Sequence, residues 1–564
     1  MVNIKILKFK QKDSIVCKEL YNYNQNKIEQ YYEKMNGFEN QDKFDEKLNK
    51  NTKKINPPKE QILSQAFQFH SQGNISKAAK YYQYFINQGF EDYRVFSNYG
   101  VILVGFGKLK EAVFCYRKAI KLNPDFADAH FNLGNLMKNL GKLKEAKHSY
   151  LKAIEIKPNF ANAHSNLGNA LRDLGNLHQA EVSFRKAIEI NPNNAIFHSN
   201  LGGILKNFGK LKEAELSCLK AIEINPNYAR AYFSISNLKY SDKNKMWRDN
   251  LFSKSILTNK SRQDHIDIYF ARANVLHKEK NYNDSSKYLE LANKLKLSIR
   301  PSKPEIILNK SKSLLSESEK IKTTEKNNIK FPQSIFIVGM FRSGSTLLES
   351  ILSMNNSVDD LGEIPILEKS FLESKKINQS LSLAKNYWTK IKVLNKKSEI
   401  TTNNNLFNYQ YTGIIAEEIP NAKIIHCFRN PLDNILSIFR AHFALGNEYS
   451  SSLVDTAKVY LDQEAVMTEY KNRFRSKIYD LNYDSLVSNP QKEIKDLITW
   501  LGWKWEDTYL SPHLNSRSVL TRSNVQVRYP INSKSIGSWK NYKEMLKPAM
   551  EIITKNDKYS DLKY

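Results

Sequence analysis

Apolar and polar positions repeat with a period of 34 residues from about residue 58 onward. The period is clearest in three sets of small or helix-breaking residues that recur at this spacing: Pro124, Pro158, Pro192 and Pro226; Gly73, Gly107, Gly141, Gly175 and Gly209; and Ala78, Ala112, Ala146, Ala180 and Ala214. Each 34-residue unit is predicted to form a helical hairpin. One hairpin cannot bury its apolar face alone, so the hairpins are predicted to stack into a superhelix over residues 58–297. We expect six or seven repeats, with degenerate units at both ends.

The pattern changes after residue 297. Residues 298–331 are rich in Lys, Ser and Glu and are predicted to form a linker. Over residues 332–564, strand-like apolar runs alternate with helix-like stretches, which predicts an α/β domain with a parallel sheet. Residues 1–57 are polar, and we assign them no function. The predicted fold is therefore an all-α superhelix followed by an α/β domain.

Residues 334–352, SIFIVGMFRSGSTLLESIL, carry the strongest functional signal. SIFIV predicts a buried strand, and STLLESIL predicts the start of a helix with Leu and Ile on one face. A glycine-containing loop joins them. Together these elements predict an anion-binding cradle, because unpaired N–H groups and the positive end of the helix dipole point into such a loop.

The loop differs from the nucleotide-binding P-loop, GxxxxGK[ST], in the residue that would contact a terminal phosphate. Gly339, Gly344 and Thr346 keep the frame, but Ser345 stands in place of the Lys, and Arg342 lies inside the loop. This argues against ATP hydrolysis. It suits a planar guanidinium that grips a phosphosulfate through two parallel N–H bonds.

The segment resembles the phosphosulfate loop of sulfotransferases, which use 3′-phosphoadenosine 5′-phosphosulfate (PAPS), and the 34-residue unit resembles the tetratricopeptide repeat. Residues 422–443, AKIIHCFRNPLDNILSIFRAHF, resemble the strand, turn and helix with which sulfotransferases bind the 3′-phosphate. Residues 476–503 and 522–542 resemble later segments of that family. The resemblance implies PAPS as co-substrate, no metal, and these cofactor contacts: Arg342, Ser343, Gly344, Ser345, Thr346, Arg429, Ser437, Tyr483, Ser523 and Lys534.

Within the family, the chain looks most similar to tyrosylprotein sulfotransferases. Residues 359–371, DDLGEIPILEKSF, place a Gly-Glu pair where those enzymes have their catalytic Glu, which implies Glu363 as the base beside Arg342. A solvated loop carboxylate is the alternative for Glu363. The family commonly has a Lys where Asn403 is expected to lie. A lost cation can cost about 10²–10³ in rate, so weak or absent activity is a second hypothesis.

A ladder of asparagines runs through the repeats at the same spacing, with Asn98, Asn132, Asn166 and Asn200 on the first helix of each hairpin. These positions resemble the inner-face asparagines of O-linked N-acetylglucosamine transferase, and an amide there can bond a peptide backbone. We therefore expect a protein or peptide acceptor to dock on the repeats; the alternative is that Asn is simply common in this chain. His130, His164 and His198 also recur, and we expect structural roles rather than metal binding.

Charge and composition narrow the partners. The chain has 86 Lys and Arg against 58 Asp and Glu, a formal net charge of +28, which favours polyanions, anionic surfaces or phosphate-bearing small molecules. Lys and Asn are abundant throughout, so composition bias is an alternative explanation. Four cysteines without paired spacing predict a reducing, cytoplasmic location. We expect no signal peptide, no membrane span and no nucleic-acid partner, and the oligomeric state stays open.

Together these observations predict a sulfotransferase that moves a sulfuryl group from PAPS to an acceptor hydroxyl, with tyrosine of a docked protein as the expected acceptor. Two alternatives stay open. One is a catalytically weak or inactive repeat scaffold with a nucleotide-binding domain. The other is a glycan sulfotransferase whose repeats serve assembly.

Overall fold

The computed structural model describes residues 57–238, 246–321, 332–375, 382–394, 399–443, 446–515, 517–519, 521 and 523–562. The chain divides into two compact units, Met1–Ile204 and Leu205–Tyr564. The polar segment assigned to residues 1–57 lies almost wholly outside the described residues.

The first unit is built from helical hairpins. Its helices are α1 (Lys59–Ser71), α2 (Ile75–Asn87), α3 (Tyr93–Gly105), α4 (Leu109–Leu122), α5 (Ala127–Asn139), α6 (Leu143–Ile156), α7 (Ala161–Asp173), α8 (Leu177–Ile190) and most of α9 (Ala195–Asn207). Gly141 has a φ of 73°, a left-handed conformation that ends α5 and turns the chain into α6. A Cβ on Gly134 would lie 2.7 Å from the Tyr150 ring, so glycine here permits the close crossing of the hairpin. The spacing of small residues thus corresponds to packing, as the sequence predicted.

The second unit begins with further helices. They are α10 (Leu211–Ile224), α11 (Ala229–Ser236), α12 (Met246–Phe252), α13 (Arg262–Lys278), α14 (Tyr282–Ile299) and α15 (Pro304–Lys320). Helix α14 ends close to the predicted end of the repeats at residue 297.

Helix α15 corrects the prediction of a linker over residues 298–331. Pro304 stands at its first position, and Leu314 packs in the core of the α/β part. Arg473 donates to the Ser318 hydroxyl oxygen at 2.9 Å, and Lys310 pairs with Glu368 at 2.6 Å. The abundance of Ser and Lys concealed this helix, because serines form its buried stripe together with Leu314.

The α/β part contains a five-stranded sheet in which each neighbouring pair is parallel. The strands are β1 (Gln333–Gly339), β2 (Val358–Asp360), β3 (Ile400–Asn403), β4 (Ala422–Phe428) and β5 (Ile478–Asn482), in the order β2-β3-β1-β4-β5. Around it lie α16 (Ser345–Leu352), α17 (Ile366–Ser374), α18 (Leu383–Lys392), α19 (Thr412–Glu418), α20 (Pro431–Phe439), α21 (Leu453–Phe474), α22 (Tyr483–Ser488), α23 (Pro490–Leu501) and α24 (Lys543–Ile553).

The central strand β1 is buried on both faces, as its apolar run predicted. Ile335 and Ile337 belong to a core cluster with Leu348 of α16, whereas Phe336 and Val338 belong to a second cluster with Tyr387 and other residues. The chain leaves β1 toward β2 at one edge of the sheet and leaves β4 toward β5 at the other edge, so the connections at the carboxyl ends of the neighbouring strands β1 and β4 run in opposite directions. In open parallel sheets a crevice forms at that switch point, and ligands bind there.

Candidate functional site

The loop after β1 requires glycine at two positions. Gly339 has a φ of 142°, and a Cβ there would overlap the carbonyl oxygen of Cys427 on β4. Gly344 has a φ of 97°, and its Cβ would overlap the ring of Tyr483. The backbone of the loop therefore packs closely against Cys427 of β4 and against Tyr483, which follows β5. This close approach brings the loop backbone into contact with the Tyr483 ring.

The loop ends at the N-terminus of α16, with Gly344 as the N-cap residue. The first turn of a helix has N–H groups without intrahelical acceptors, which can bind an anion. The Ser343 hydroxyl is buried and has no hydrogen-bond partner among the described residues. Thr346 is hydrogen-bonded to Thr521 at 3.0 Å between hydroxyl oxygens. The loop thus holds hydrogen-bond donors of the kind that can bind an anion, and its role as a phosphosulfate site stays a prediction.

Arg342 stands at the tip of the loop in a left-handed conformation, with a φ of 67° that is uncommon outside glycine. Its Nε donates to the Ser437 hydroxyl at 3.0 Å, and a second nitrogen donates to the Ser523 hydroxyl. Its Nη2 donates to Oε1 of Gln526 at 2.8 Å. Arg342 therefore joins the cradle to α20 and to the segment of residues 515–529, which we call the C-terminal loop. Three of the predicted site residues meet here.

Arg429 directly follows β4 and is 6% exposed. Its Nη2 donates to the Ser535 carbonyl at 3.1 Å, and its guanidinium lies 4.7 Å from the centre of the Tyr483 ring. Asp433 and Asp484 each place a carboxylate oxygen 3.9 Å from it. The Arg429 Nε is buried and has no hydrogen-bond partner among the described residues. A buried cation with an unused donor at this edge suits an anionic group.

Two of the remaining predicted cofactor residues, Tyr483 and Lys534, differ in their contacts. The Tyr483 hydroxyl is hydrogen-bonded to the Ser535 hydroxyl at 3.1 Å, which ties β5 to the segment before α24. Lys534 is exposed, and its backbone N–H donates to Asn532 at 3.4 Å. The structure therefore brings Tyr483 to the cradle, whereas the Lys534 side chain is exposed to solvent.

Glu363 lies in the loop after β2 and is exposed. Two backbone hydrogen bonds tie this loop to the end of β3: Leu361 N–H donates to the Thr402 carbonyl at 2.8 Å, and Asn404 N–H donates to the Gly362 carbonyl at 2.9 Å. Glu363 is thus held at the carboxyl edge of the sheet, in the loop that follows β2, and β2 lies two strands from β1. Its role as the base stays a prediction.

Asn403 is 1% exposed and ends β3. Its side-chain oxygen accepts from the Asn405 N–H at 3.1 Å and from the Asn408 side chain at 3.0 Å, so it stabilises the turn after the strand. The next residue, Asn404, donates from its side chain to Glu349 at 3.1 Å. The turn at this strand end is therefore built from amide side chains.

Two charged residues that the motifs did not point to lie beside the cradle. Glu349 of α16 is 2% exposed, and burial raises the pKa of its carboxyl group. Arg517 of the C-terminal loop lies 3.3 Å from that carboxylate, which opposes the rise, and also pairs with Asp360. The sequence offered no signal for Glu349, because a Glu beside a face of Leu and Ile is the pattern expected of a solvent-exposed position. No pattern in the sequence pointed to Arg517, because its partners lie more than 150 residues away.

The histidines of this unit are packed groups. His426 on β4 is buried and accepts from the Gln463 side chain at 2.7 Å. His442 donates to Asp267 at 3.0 Å and stacks on Phe270. Burial lowers the pKa of His442 to about 4.

The asparagine ladder lies on the first helices of the hairpins and is half-buried. Asn166 donates to Asn135 of the preceding repeat at 2.8 Å, and Asn200 donates to the Ser165 hydroxyl at 3.3 Å. Asn98 donates to the Tyr82 hydroxyl at 3.4 Å, whereas Asn132 has the same half-buried place without such a bond among those identified. Three of the four ladder amides therefore already bond across repeats.

The repeated histidines have one structural task in common. Each donates from Nε2 to the carbonyl of the proline six residues earlier, at 2.9 Å in His130 and His164 and at 2.8 Å in His198. This bond fixes the turn between consecutive hairpins. Within the described ranges, no group of three or more His, Cys, Asp or Glu side chains is arranged to hold a metal ion. Over the same ranges, no helix is both long and apolar enough to cross a bilayer.

Comparison with known proteins identifies two kinds of matching region in the chain. Residues 332–507 match the model of the sulfotransferase family, and residues 102–141, 138–175, 161–194 and 183–215 match tetratricopeptide-repeat models. A protein of Aquifex aeolicus (strain VF5) is 30% identical over 242 residues, covering 39% of this chain and 32% of that protein. Protein-tyrosine sulfotransferase 2 of Gallus gallus is 23% identical over 257 residues, covering 40% of this chain and 68% of that protein.

Solved structures also align. MamA from Desulfovibrio magneticus RS-1 aligns with a TM-score of 0.29 and 20% identity, covering 31% of this chain and 98% of that chain. YrrB, a TPR protein with an unusual peptide-binding site, aligns with a TM-score of 0.28 and 23% identity, covering 36% and 100%. Likeness at this level does not bear on function. The chain spans about a third of the Aquifex protein. This chain contains tetratricopeptide repeats at residues 102–215 and a sulfotransferase-family domain at residues 332–507.

Proposed function

We propose that the chain is a PAPS-dependent sulfotransferase whose acceptor is a hydroxyl, with tyrosine of a docked protein as the first candidate. One observation carries the proposal. At the carboxyl ends of β1 and β4, the loop between Gly339 and Gly344 and the neighbouring Arg429 present two buried donors, the Ser343 hydroxyl and the Arg429 Nε, that form no hydrogen bond within the described residues. Buried polar groups are rarely left unpaired, so these donors fit an anionic ligand with two phosphate ends.

PAPS, when bound, supplies the activated sulfuryl group. We assign its 3′-phosphate to Arg429, with Ser437 as the second expected contact, and its phosphosulfate to the loop amides from Ser343 to Thr346. Tyr483 lies against Gly344 and under Arg429, where its ring can support the adenine. Arg342 holds the loop closed through Ser437 and Ser523 and can stabilise charge as the sulfur–oxygen bond breaks.

We assign the proton of the acceptor to Glu363. A phenol has a pKa of about 10 and is mostly protonated at neutral pH, so its oxygen needs a base as it attacks sulfur. The acceptor oxygen–sulfur bond forms, the bond from sulfur to the bridging oxygen breaks, and the proton passes to the Glu363 carboxylate. An exposed loop carboxylate held at the carboxyl edge of the sheet is suited to meet a substrate that arrives from solvent.

The proposed protein acceptor rests on two supports. The related Gallus gallus protein is named a protein-tyrosine sulfotransferase. The ladder amides Asn98, Asn132, Asn166 and Asn200 lie half-buried on the first helices of their hairpins, where a peptide backbone could compete for their bonds. A reducing, cytoplasmic location stays a prediction; Cys115, Cys218 and Cys427 are buried free thiols.

The test separates binding from transfer. Calorimetry with 3′,5′-bisphosphoadenosine (PAP) measures binding, and labelled PAPS measures transfer to a tyrosine peptide, a glycan and a small phenol. We expect Glu363→Gln to keep PAP affinity within about threefold, because the change is isosteric and leaves both arginines in place. We expect it to lose about 10²–10⁴ in transfer rate.

Glu551→Gln is the control, because it removes an exposed carboxylate of α24. Wild-type transfer by Glu363→Gln would disprove the base assignment, and absence of PAP binding by the wild type would disprove the cofactor. Label on glycan alone would move the acceptor to the glycan class.

A second function has its own support, a nucleotide-binding scaffold without transfer. Asn403 and Asn404 place amides, not a cation, at the end of β3. PAP binding without transfer to any acceptor would favour this function. Recovery of transfer by Asn403→Lys or Asn404→Lys would then identify the missing cation as the cause.

A further inference from the structure

The guanidinium of Arg528 donates to three backbone carbonyls of the second unit. Its Nη1 donates to the Asn515 carbonyl at 2.6 Å, and its Nη2 donates to the carbonyls of Arg517 and Asn207 at 2.5 and 3.1 Å. Burial lowers the pKa of Arg528. Two of the three acceptors belong to the C-terminal loop, and the third is the last residue of helix α9. Arg528 therefore closes the loop on itself and fastens it to a repeat helix.

The turn that follows α9 is shaped to receive this side chain. Gly209 has a φ of 76°, and a Cβ there would lie 2.8 Å from the Arg528 Nε and 2.9 Å from its Cδ. Three glycines at equivalent turns have similar positive φ values, yet a Cβ on any of them would meet no described heavy atom within 4 Å beyond its own chain neighbours: Gly73, Gly141 and Gly175. Gly209 is thus needed for its conformation, as at the other turns, and also for the space it leaves.

Asn207 adds two more bonds to the same attachment. The Asn524 side chain donates to Oδ1 of Asn207 at 2.6 Å, and Val519 N–H donates to the Asn207 carbonyl at 3.1 Å. Asn207 and Asn524 are both buried. A buried amide pair between two segments fixes their register, because either amide would lose its partner if the loop moved.

The other side of the C-terminal loop contacts the cradle. Ser523 and Gln526 accept from Arg342, and Thr521 is hydrogen-bonded to Thr346. Asn524, which is bonded to Asn207, is adjacent to Ser523. Arg528, which is seated at Gly209, lies two residues after Gln526. Between Thr521 and Arg528, residues that bond to the turn after α9 therefore alternate with residues that contact the cradle.

We propose that the turn of residues 207–209 is a positioning site for the phosphosulfate loop. By seating Arg528 and Asn524, it holds Ser523 and Gln526 where they fix the side chain of Arg342. A repeat hairpin thus serves the cofactor site in addition to any docking role. The proposal rests on the proposed function, because it assigns these contacts to the same PAPS site.

Gly209→Ala and Gly175→Ala in the full chain form a matched pair. Both place a Cβ on a residue with positive φ, 76° and 82°, but only the first meets Arg528. We expect similar losses of thermal stability in both. We expect PAP affinity by calorimetry to fall three- to tenfold in Gly209→Ala, the range for one lost hydrogen bond, and to stay at the wild-type value in Gly175→Ala.

A second variant protects the test against misfolding of the first. Asn524→Ala removes the side-chain bond to Asn207 and leaves Arg528 in place. We expect it to weaken PAP binding about threefold, with Asn139→Ala, two repeats before Asn207 and exposed, as its control. Equal PAP affinity in Gly209→Ala, Asn524→Ala and the wild type would overturn the proposal.

Failure of the proposed function has a different outcome. If the wild type binds no PAP, hydrogen exchange of the amides at 523–529 replaces affinity as the readout. Faster exchange in Gly209→Ala than in Gly175→Ala would support the attachment, and equal exchange would overturn it.

Discussion

Replacing Arg429 with Ala should remove the residue to which we assign the 3′-phosphate of PAPS. Arg429 is 6% exposed and has an unused buried donor, so a bound phosphate would form charge-assisted hydrogen bonds there in poor contact with solvent. A hydrogen bond to a charged group contributes about 1.5–3 kcal/mol, and each 1.4 kcal/mol is a factor of ten in affinity. One such bond therefore corresponds to a loss of about 10- to 100-fold in PAP affinity.

The two neighbouring carboxylates increase the loss of PAP affinity that we expect. Asp433 and Asp484 lie 3.9 Å from the guanidinium, and Arg429 lowers the pKa of Asp433 against the larger effect of burial. Without Arg429, a carboxylate at this edge would face the incoming 3′-phosphate and repel it. We therefore expect the upper part of the range, with the affinity loss shrinking as salt screens the repulsion.

Calorimetric titration of PAP measures the loss, with two variants as references. Arg429→Lys keeps the charge but not the planar fork, and should recover part of the affinity. Arg473→Ala removes an arginine that donates to Ser318 on α15, and should bind PAP like the wild type. If Arg429→Ala bound PAP within threefold of the wild type, the assignment of the 3′-phosphate to this residue would be refuted.

Two further predictions concern the repeats and His442. A triple alanine variant of Asn132, Asn166 and Asn200 should transfer less to a protein acceptor, while transfer to a small phenol persists in a parallel assay. Its free energy of unfolding should fall by about 1 kcal/mol, because the bond between Asn166 and Asn135 is lost. Burial, Lys296 and Arg230 lower the pKa of His442 from 6.5 to about 4 despite Asp267, so the unfolded state binds its proton first and stability falls as pH drops from about 6.5 to 4. His442→Gln should make the melting temperature depend less on pH in this range, because the variant lacks a stability change of at most about 3 kcal/mol between pH 6.5 and 4. An unchanged pH dependence would contradict the assignment.

The features that the sequence predicted well are those determined by neighbours along the chain. The glycine turns, the strand SIFIV and the cradle depend on local conformation and on an apolar run that buries both faces of β1. Arg342 could be placed in the cradle because the segment from Gly339 to Thr346 is only eight residues long. Such short segments have few alternative structures, so a single sequence suffices to identify them.

The features that the sequence did not predict depend on contacts between distant segments. The guanidinium of Arg517 meets Glu349 and Asp360, and Arg528 bonds to Asn207. Each arginine stands in a loop whose composition is ordinary for this basic chain, so only the folded structure distinguishes it from a surface charge. Helix α15 was missed for a related reason, because its buried stripe contains serines that pack in the core.

Binding and transfer should be separable in this domain, because the groups assigned to them come from different elements. The anchors Arg342 and Arg429 follow β1 and β4, whereas Glu363 follows β2 and is connected to the cradle through the end of β3. The amides of Asn403 and Asn404 lie in that connection and bond to the backbone and to Glu349. A change there can move Glu363 without altering the anchors. Affinity for PAP therefore reports on the cradle, and only transfer reports on the β2–β3 side of the crevice.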